Sequence, residues 1–357
     1  MTSTALPSRL SVLDRSSVRK GQSAARALRD TVRFARRIEA LGYHRFWVAE
    51  HHGVPGIAGA APTVLAAAVA SATTRIRVGT GGVMLPNHPP FVVAEQFGVL
   101  ASLFPGRIDM GLGRSVGFTR DVRRALGRDK EAAAEFGAQL EELLGYFTGE
   151  QRVHPGARAT PAEGARVPVF VLATGAAADH AADLGLPLVI GAVRGEERML
   201  GAIERYRRRF RPSPWADRPY VVVAAAIAVA GNTEAARRLL LPEAWSTVHS
   251  RIHGVFPPLV PAEEVLARDM TDRERRLLAD TLRGQIHGTE DEVAAELARV
   301  VAATGADEVL VTTSTYDREE MLDSYRRLAR LAGLGERGPT PGGNDSGPLA
   351  THLAHRR

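Results

Sequence analysis

Apolar segments with the period of a strand alternate along this chain with segments that have the period of a helix. Between residues 23 and 42, for example, Leu28, Val32, Ala35 and Ile38 recur at three- and four-residue steps, and a glycine stands where the helix would stop. We predict strands at 10–13, 46–49, 75–85, 108–112, 167–173, 187–190, 220–230 and 308–313, and helices at 23–42, 61–73, 91–104, 131–147, 176–184, 196–210, 290–303 and 318–331. About eight strands alternating with helices favour an α/β fold, a (β/α)8 TIM barrel with loop insertions.

Length and composition agree with one barrel. No linker rich in Pro, Gly and Ser divides the middle of the 357 residues, so we predict a single barrel domain over residues 1–334. Residues 335–357 are rich in Gly, Pro, Ser and Asn and show little apolar periodicity. We expect this segment to be a disordered tail.

The chain contains no cysteine, which excludes disulfides, thiolate catalysis and cysteine-ligated metals and is typical of a reducing compartment. The first residues lack the apolar core of a signal peptide, and no run approaches the roughly 18 uninterrupted apolar residues of a membrane span. We therefore expect a cytoplasmic protein that does not bind a membrane.

The formal net charge of +6 raises the possibility of nucleic-acid binding. The basic clusters, 205–211 and 273–276, lie in segments that read as helices, mixed with acidic or apolar residues and without interleaved aromatic residues. A solvated helix face explains them better, so we expect no nucleic-acid partner.

Polar and glycine residues follow the predicted strands, where the loops of a barrel gather at one face and form its active site. They are Asp14 and Ser17 after the first strand, Glu50, His51 and His52 after the second, Gly81, Gly82, Asn87 and His88 at the end of the third, Gly113 and Arg114 after the fourth, and Thr174 and Gly175 after the fifth. The sequence therefore predicts a functional site at this face.

Three segments carry a resemblance to a known family. The segments 47–52 (WVAEHH), 76–86 (IRVGTGGVMLP) and 105–114 (PGRIDMGLGR) are together similar to those of the bacterial luciferase-like flavin-dependent monooxygenases. Residues 10–14 and 184–187 are also similar, so the resemblance extends from about residue 10 to residue 332. It implies an enzyme that takes reduced FMN from a separate flavin reductase and uses O2 to oxygenate a small or medium organic metabolite.

The resemblance also implies roles for individual residues. His51 matches the family's catalytic histidine, for which we expect a near-neutral pKa. Gly81 and Gly82 stand where the family often carries a cis peptide bond beneath the flavin ring, although a flexible strand end explains the glycine pair equally well. Arg114 aligns with an arginine that contacts the FMN phosphate. Gly113 belongs to the same cofactor-binding segment.

The chain departs from the family in two loops. Residues 173–178 read ATGAAA where relatives carry several serines, which leaves Thr174, Gly175 and the following amides to bind the phosphate. Residues 191–195 read GAVRG where close relatives often carry a histidine and aromatic residues. We therefore expect a roomier or different substrate pocket, and the substrate cannot be transferred by analogy.

Six polar residues are predicted to line the substrate pocket: Asp14, Ser17, Glu50, His52, Asn87 and His88. Glu50 either orients an imidazole or pairs with an interior arginine. A zinc site built on His51 and His52 is disfavoured, because adjacent side chains on a strand point to opposite faces and no third ligand suggests itself. We expect no metal.

Two alternatives share this fold. One is hydride transfer with the deazaflavin F420, which occupies the same barrel face in related proteins, and the other is a flavin-binding subunit without turnover. The resemblance further implies a homodimer, for which the Ala/Val-rich segments 61–72 and 91–104 could supply the interface.

Overall fold

The computed structural model describes residues 9–173, 175, 177–192 and 195–335. Its strands are β1 (Leu10–Asp14), β2 (Arg45–Val48), β3 (Arg77–Thr80), β4 (Val83–Met84), β5 (Ile108–Gly113), β6 (Val169–Ala173), β7 (Leu188–Gly191), β8 (Val221–Ala225), β9 (Ile227–Val229), β10 (Ile286–Gly288) and β11 (Glu308–Val311). All strand pairings are parallel, and the ring runs β1-β2-β3-β5-β6-β7-β8-β11 and back to β1. The predicted TIM barrel is confirmed.

Helices cover the outside of the ring. They are α1 (Ala24–Ala40), α2 (Pro62–Ala72), α3 (Pro90–Leu103), α4 (Arg120–Ala125), α5 (Phe136–Thr148), α6 (Ala177–Asp183), α7 (Glu196–Arg209), α8 (Thr233–His253), α9 (Ala262–Leu266), α10 (Asp272–Arg283), α11 (Glu290–Thr304) and α12 (Arg318–Leu331). Capping residues fix several helix starts: Ser23 accepts a hydrogen bond from the amide of Arg26, and Thr289 forms a capping box with Glu292. No helix in the described ranges is both long and apolar enough to cross a membrane.

The barrel interior is layered because alternate residues of each strand point inward. At the amino-terminal end of the strands lies an ionic cluster, in which the buried Arg45 pairs with the buried Asp109 and Glu308, and the partly exposed Arg77 also pairs with Asp109. An apolar layer follows, formed by Leu13, Trp47, Phe170, Val189, Val222 and Leu310. The next inward positions are mostly small, among them Ala49, Gly111 and Ala224, so less side-chain volume fills the barrel toward the carboxyl ends of the strands.

A second, smaller apolar core lies beside the barrel. It is built by α8, α9 and α10 with β9, and β9 pairs with β10 in a separate two-stranded sheet. After α8 the chain returns to the barrel: the amide of Gly56 donates to the carbonyl oxygen of Phe256 at 2.8 Å, and Val18 and Leu259 are also hydrogen-bonded. This insertion therefore covers part of the barrel mouth.

Three predicted elements differ from the structure. The predicted strand 75–85 is split into β3 and β4 at Gly81 and Gly82. The predicted strand 220–230 is also two strands, because β8 stays in the barrel and β9 leaves it to pair with β10. The predicted helix 131–147 begins as a 3-10 turn over Glu131–Glu135. The predicted tail lies outside the described residues except for Gly335, and the extent of the domain stays a prediction.

Candidate functional site

Glycines shape the open end of the barrel. The peptide bond between Gly81 and Gly82 is cis. A Cβ on Gly82 would lie 2.8 Å from the carbonyl oxygen of Gly111, so the backbone leaves no room for a side chain there; a Cβ on Gly81 would lie 2.5 Å from Cδ1 of Leu13, which would have to move. At Gly113 the nearest atom to such a Cβ is 3.9 Å away. Packing of the protein does not require glycine there, which suits the close approach of a flat ligand.

His51 follows β2 and lies at this mouth. Its amide donates to the carbonyl oxygen of Gly59 at 2.8 Å, and its ring meets the ring of Phe256 edge-on at 6.1 Å between centroids. The Nδ1 atom is buried and has no hydrogen-bond partner in the described part of the chain. A buried imidazole nitrogen without a partner is costly unless a ligand satisfies it.

The pKa of His51 is lowered to about 4, chiefly by burial and next by the positive charge of Arg15. The expectation of a near-neutral pKa is thus wrong. At neutral pH the imidazole is uncharged and can accept a proton or a hydrogen bond.

Glu50 binds two other histidines. Its Oε1 atom accepts hydrogen bonds from Nε2 of His52 at 2.6 Å and Nε2 of His88 at 2.8 Å, and its Oε2 atom accepts from the amide of Met84 at 2.9 Å. Burial raises the pKa of the Glu50 carboxyl, but these hydrogen bonds bring it to about 2, so the group is ionised. Of the two roles considered, Glu50 orients imidazoles, and the interior arginines pair with Asp109 and Glu308 instead.

The predicted phosphate-binding residues lie after β5 and β6, which are neighbouring strands. Arg114 is exposed and has no ion pair within the described ranges. Gly175 lies in the turn before α6, and its carbonyl oxygen accepts the amide of Ala178 at 2.9 Å. Thr174 lies outside the described residues, as do 193–194 of the loop after β7. A free guanidinium beside an open turn suits a phosphate.

The remaining predicted pocket residues, Asp14, Ser17 and Asn87, form no hydrogen bond with Glu50 or His51 within the described part of the chain. Asp14 accepts the amide of Ser16 at 3.0 Å and stabilises the turn after β1. The hydroxyl of Ser17 is buried and 3.3 Å from that of Ser314, which ties the loops after β1 and β11 together. Asn87 is buried, and neither amide atom has a partner among the described residues.

Two aromatic residues at the mouth were not predicted from the sequence as part of the site. The rings of Phe118 and Phe256 lie 5.5 Å apart, and Phe256 also contacts His51. The first follows β5 and the second belongs to the insertion, so nothing in the sequence links them. Arg15 similarly forms an ion pair with Glu243 of α8. These contacts make the insertion a wall of the site.

Comparison with known proteins identifies relatives along nearly the whole chain. The chain is 39% identical over 321 residues to the Bacillus subtilis protein YvbT, an alignment that covers 90% of this chain and 95% of the relative. It is 33% identical over 328 residues to N-acetyl-S-alkylcysteine monooxygenase of the same organism, covering 90% and 97%. Among solved structures, apo-MsnO8 superposes with a TM-score of 0.82 at 31% identity, covering 91% and 98%.

Two more distant structures share the fold. The oxygenating component of 3,6-diketocamphane monooxygenase from Pseudomonas putida, in complex with FMN, has a TM-score of 0.67 at 16% identity and covers 92% and 98%. An F420-dependent secondary alcohol dehydrogenase has the same TM-score at 17% identity and covers 91% and 98%. The sequence profile described as luciferase-like monooxygenase matches residues 8–308. The chain therefore belongs to the luciferase-like monooxygenase family.

Proposed function

We propose that the protein is a two-component, FMN-dependent monooxygenase that receives reduced flavin from a separate reductase and uses O2 to oxygenate a small or medium organic molecule. The observation that carries the proposal is the state of His51 at the mouth of a barrel of this family. Its imidazole is uncharged, and its buried Nδ1 atom has no hydrogen-bond partner in the described part of the chain. Such a group is suited to hydrogen-bond a ligand atom in the site.

The residues at the mouth fit FMN. Gly113, where a Cβ would meet nothing closer than 3.9 Å, leaves room for the flavin ring, and Arg114 with the turn at Gly175 would bind the phosphate. Gly81 and Gly82 are proposed to lie beneath the ring on the resemblance alone. Thr174 is proposed as a further phosphate contact on the resemblance alone. When bound, the reduced flavin supplies the electrons that activate O2.

The protein's own residues bind, orient and exclude water. His51 presents the unpartnered Nδ1 atom of an uncharged imidazole to the bound ligand, and Glu50 fixes the rings of His52 and His88 at the rim. Phe118 and Phe256 provide an apolar wall beside His51, which favours a substrate whose reacting atom carries an apolar substituent.

Thioethers are the first substrates to test, because a relative at 33% identity is named for an S-alkylated amino acid. The protein is incubated with N-acetyl-S-alkylcysteines, a flavin reductase, FMN and ¹⁸O2, and the products are analysed by mass spectrometry. We expect one ¹⁸O atom in the product and a loss of about 10²-fold or more in turnover for His51→Ala. The proposed oxygenase activity would be refuted if all the consumed O2 were released as hydrogen peroxide, both with every thioether of the series and with other apolar metabolites.

We also propose a homodimer through α2 and α3. These helices pack against each other, and the side chains of Thr63 and Gln96 are hydrogen-bonded between them at 3.0 Å. Their outer faces carry large apolar side chains, namely Val64 at 70% exposure, Leu103 at 64%, Val99 at 46% and Val92 at 39%. An exposed apolar surface of this kind favours contact with a second copy.

A further inference from the structure

Three side chains with metal-ligating atoms converge beside the barrel mouth. Glu50 and His52 lie in the loop after β2, and His88 lies between β4 and α3. The carboxylate oxygen and the two imidazole nitrogens all lie within 4.8 Å of one another. Within the described ranges, this is the one group of three or more His, Asp and Glu side chains with that spacing.

The chemistry of the group matches a divalent transition metal. Two imidazoles and one carboxylate are the protein ligands of many zinc sites that keep a fourth position open. The second oxygen of Glu50 accepts a hydrogen bond from the amide of Met84 at 2.9 Å, which fixes the direction of the carboxylate.

The rings need little change to bind an ion. Both Nε2 atoms now donate to Oε1 of Glu50, so in each neutral ring the proton would move to Nδ1 and free the Nε2 lone pair. Around a tetrahedral ion these atoms would be roughly 3.4 Å apart, given metal–ligand distances of about 2.0–2.2 Å. The present N···O distances of 2.6 and 2.8 Å must therefore widen by roughly 0.6–0.8 Å.

An ion can reach the group from solvent. The side chain of His52 is 17% exposed and that of His88 is 29% exposed, whereas the carboxylate of Glu50 is buried. The expectation of no metal considered only His51 and His52; the third ligand, His88, comes from a different loop.

We propose that Glu50, His52 and His88 form a binding site for a divalent transition-metal ion of the zinc class at the rim of the barrel mouth. An ion bound there joins the loop after β2 to the segment after β4. Zn²⁺ and Cu²⁺ bind and Mg²⁺ does not, because imidazole nitrogen suits the former ions. The proposal does not depend on the oxygenase function, since the metal alone is the probe.

The test uses the untagged, full-length protein after treatment with a chelator. Isothermal titration with ZnCl2 should show one site, and Co²⁺ should give the visible absorption bands of a cobalt ion with nitrogen ligands. His52→Ala and His88→Ala should each weaken Zn²⁺ binding by at least about tenfold, as loss of a ligand removes a direct bond. Glu50→Gln, which keeps the size of the side chain, should weaken it as well.

Matched variants separate this site from surface histidines. His154→Ala removes an exposed histidine outside the group, and the double variant His352→Ala/His355→Ala removes two from the carboxyl-terminal segment beyond the described residues. Both should bind Zn²⁺ like the wild type. Circular dichroism tests whether each variant is folded. If an alanine variant does not fold, the Glu50→Gln variant is used to test the site in its place. The proposal is overturned if the wild type binds no Zn²⁺, or if folded Glu50→Gln, His52→Ala and His88→Ala proteins bind it unchanged.

Discussion

Replacing Asp109 by asparagine should strongly destabilise the barrel. Asp109 is fully buried and accepts hydrogen bonds from Arg45 at 2.8 Å, from Nε1 of Trp47 at 3.1 Å, and from Nε and one terminal nitrogen of Arg77 at 2.9 and 2.6 Å. Asparagine has one oxygen, so its NH2 group would face two of these donors. Arg45 would keep the carboxylate of Glu308, whereas Arg77 would lose its one ion-pair partner among the described residues.

The size of the effect follows from this buried charge. Removing one partner of a buried ion pair costs about 3–5 kcal/mol, because the other charge is left uncompensated. That is a large part of the roughly 5–15 kcal/mol by which a folded domain is stable. Burial raises the pKa of Asp109, but Arg45 and Arg77 lower it to about 2, so the carboxylate is charged and the full effect is present at pH 7.

Urea unfolding at pH 7, followed by circular dichroism, measures the effect. The matched control is Asp183→Asn, which removes an exposed ion pair with Arg209 and should shift the midpoint little. Adding Arg77→Met to Asp109→Asn restores the charge balance and should recover part of the loss. A loss below about 1 kcal/mol for Asp109→Asn, with an unchanged urea dependence, would refute the reasoning.

Three further results are expected. The pKa of His51 lies at about 4 in the folded protein, below the usual histidine range, so protonation of this side chain favours the unfolded state. The free energy of unfolding should therefore fall as the pH drops from about 6.5 to 4, and the His51→Gln variant should show a smaller fall. Gly111→Ala should lower the free energy of unfolding, measured in urea, by about 2 kcal/mol or more, because the new Cβ would overlap the carbonyl oxygen of Thr80. Gly156→Ala is the control, since its Cβ would meet nothing within 4 Å, and equal stability of the two variants would contradict the prediction. Leu103→Glu should convert the proposed dimer to a monomer in light scattering, and an unchanged mass would contradict that interface.

The barrel was predictable because most of its strands and helices are local patterns. The helix predicted at 318–331 matches α12 at both ends, and the strand 108–112 misses β5 by one residue. Loop insertions were expected, but the position and the helical structure of the insertion at 231–285 were not predicted. Its long helix α8 contains Pro242 and is buried on several sides, so it shows neither a clean apolar stripe nor an uninterrupted helical composition.

The site was predictable only where its residues are neighbours in the sequence. His51 and Glu50 stand out because they follow the end of a strand, and the parallel strand order places Arg114 at the same end of the barrel. The partnership of Glu50 with His88, the contact of Phe256 with His51 and the pairing of Arg45 with Glu308 each join distant segments. Such contacts depend on tertiary packing, which composition and periodicity do not encode.

Anaerobic titration of the protein with reduced FMN tests the central claim most directly. The wild type should bind reduced FMN, and Arg114→Ala should bind it about tenfold or more weakly, since a charge-assisted phosphate contact is lost. Arg273→Ala, which removes an exposed arginine of α10, should bind it like the wild type. Absence of reduced-FMN binding by the wild type, with binding of F420 in the parallel titration, would contradict the account and favour hydride transfer.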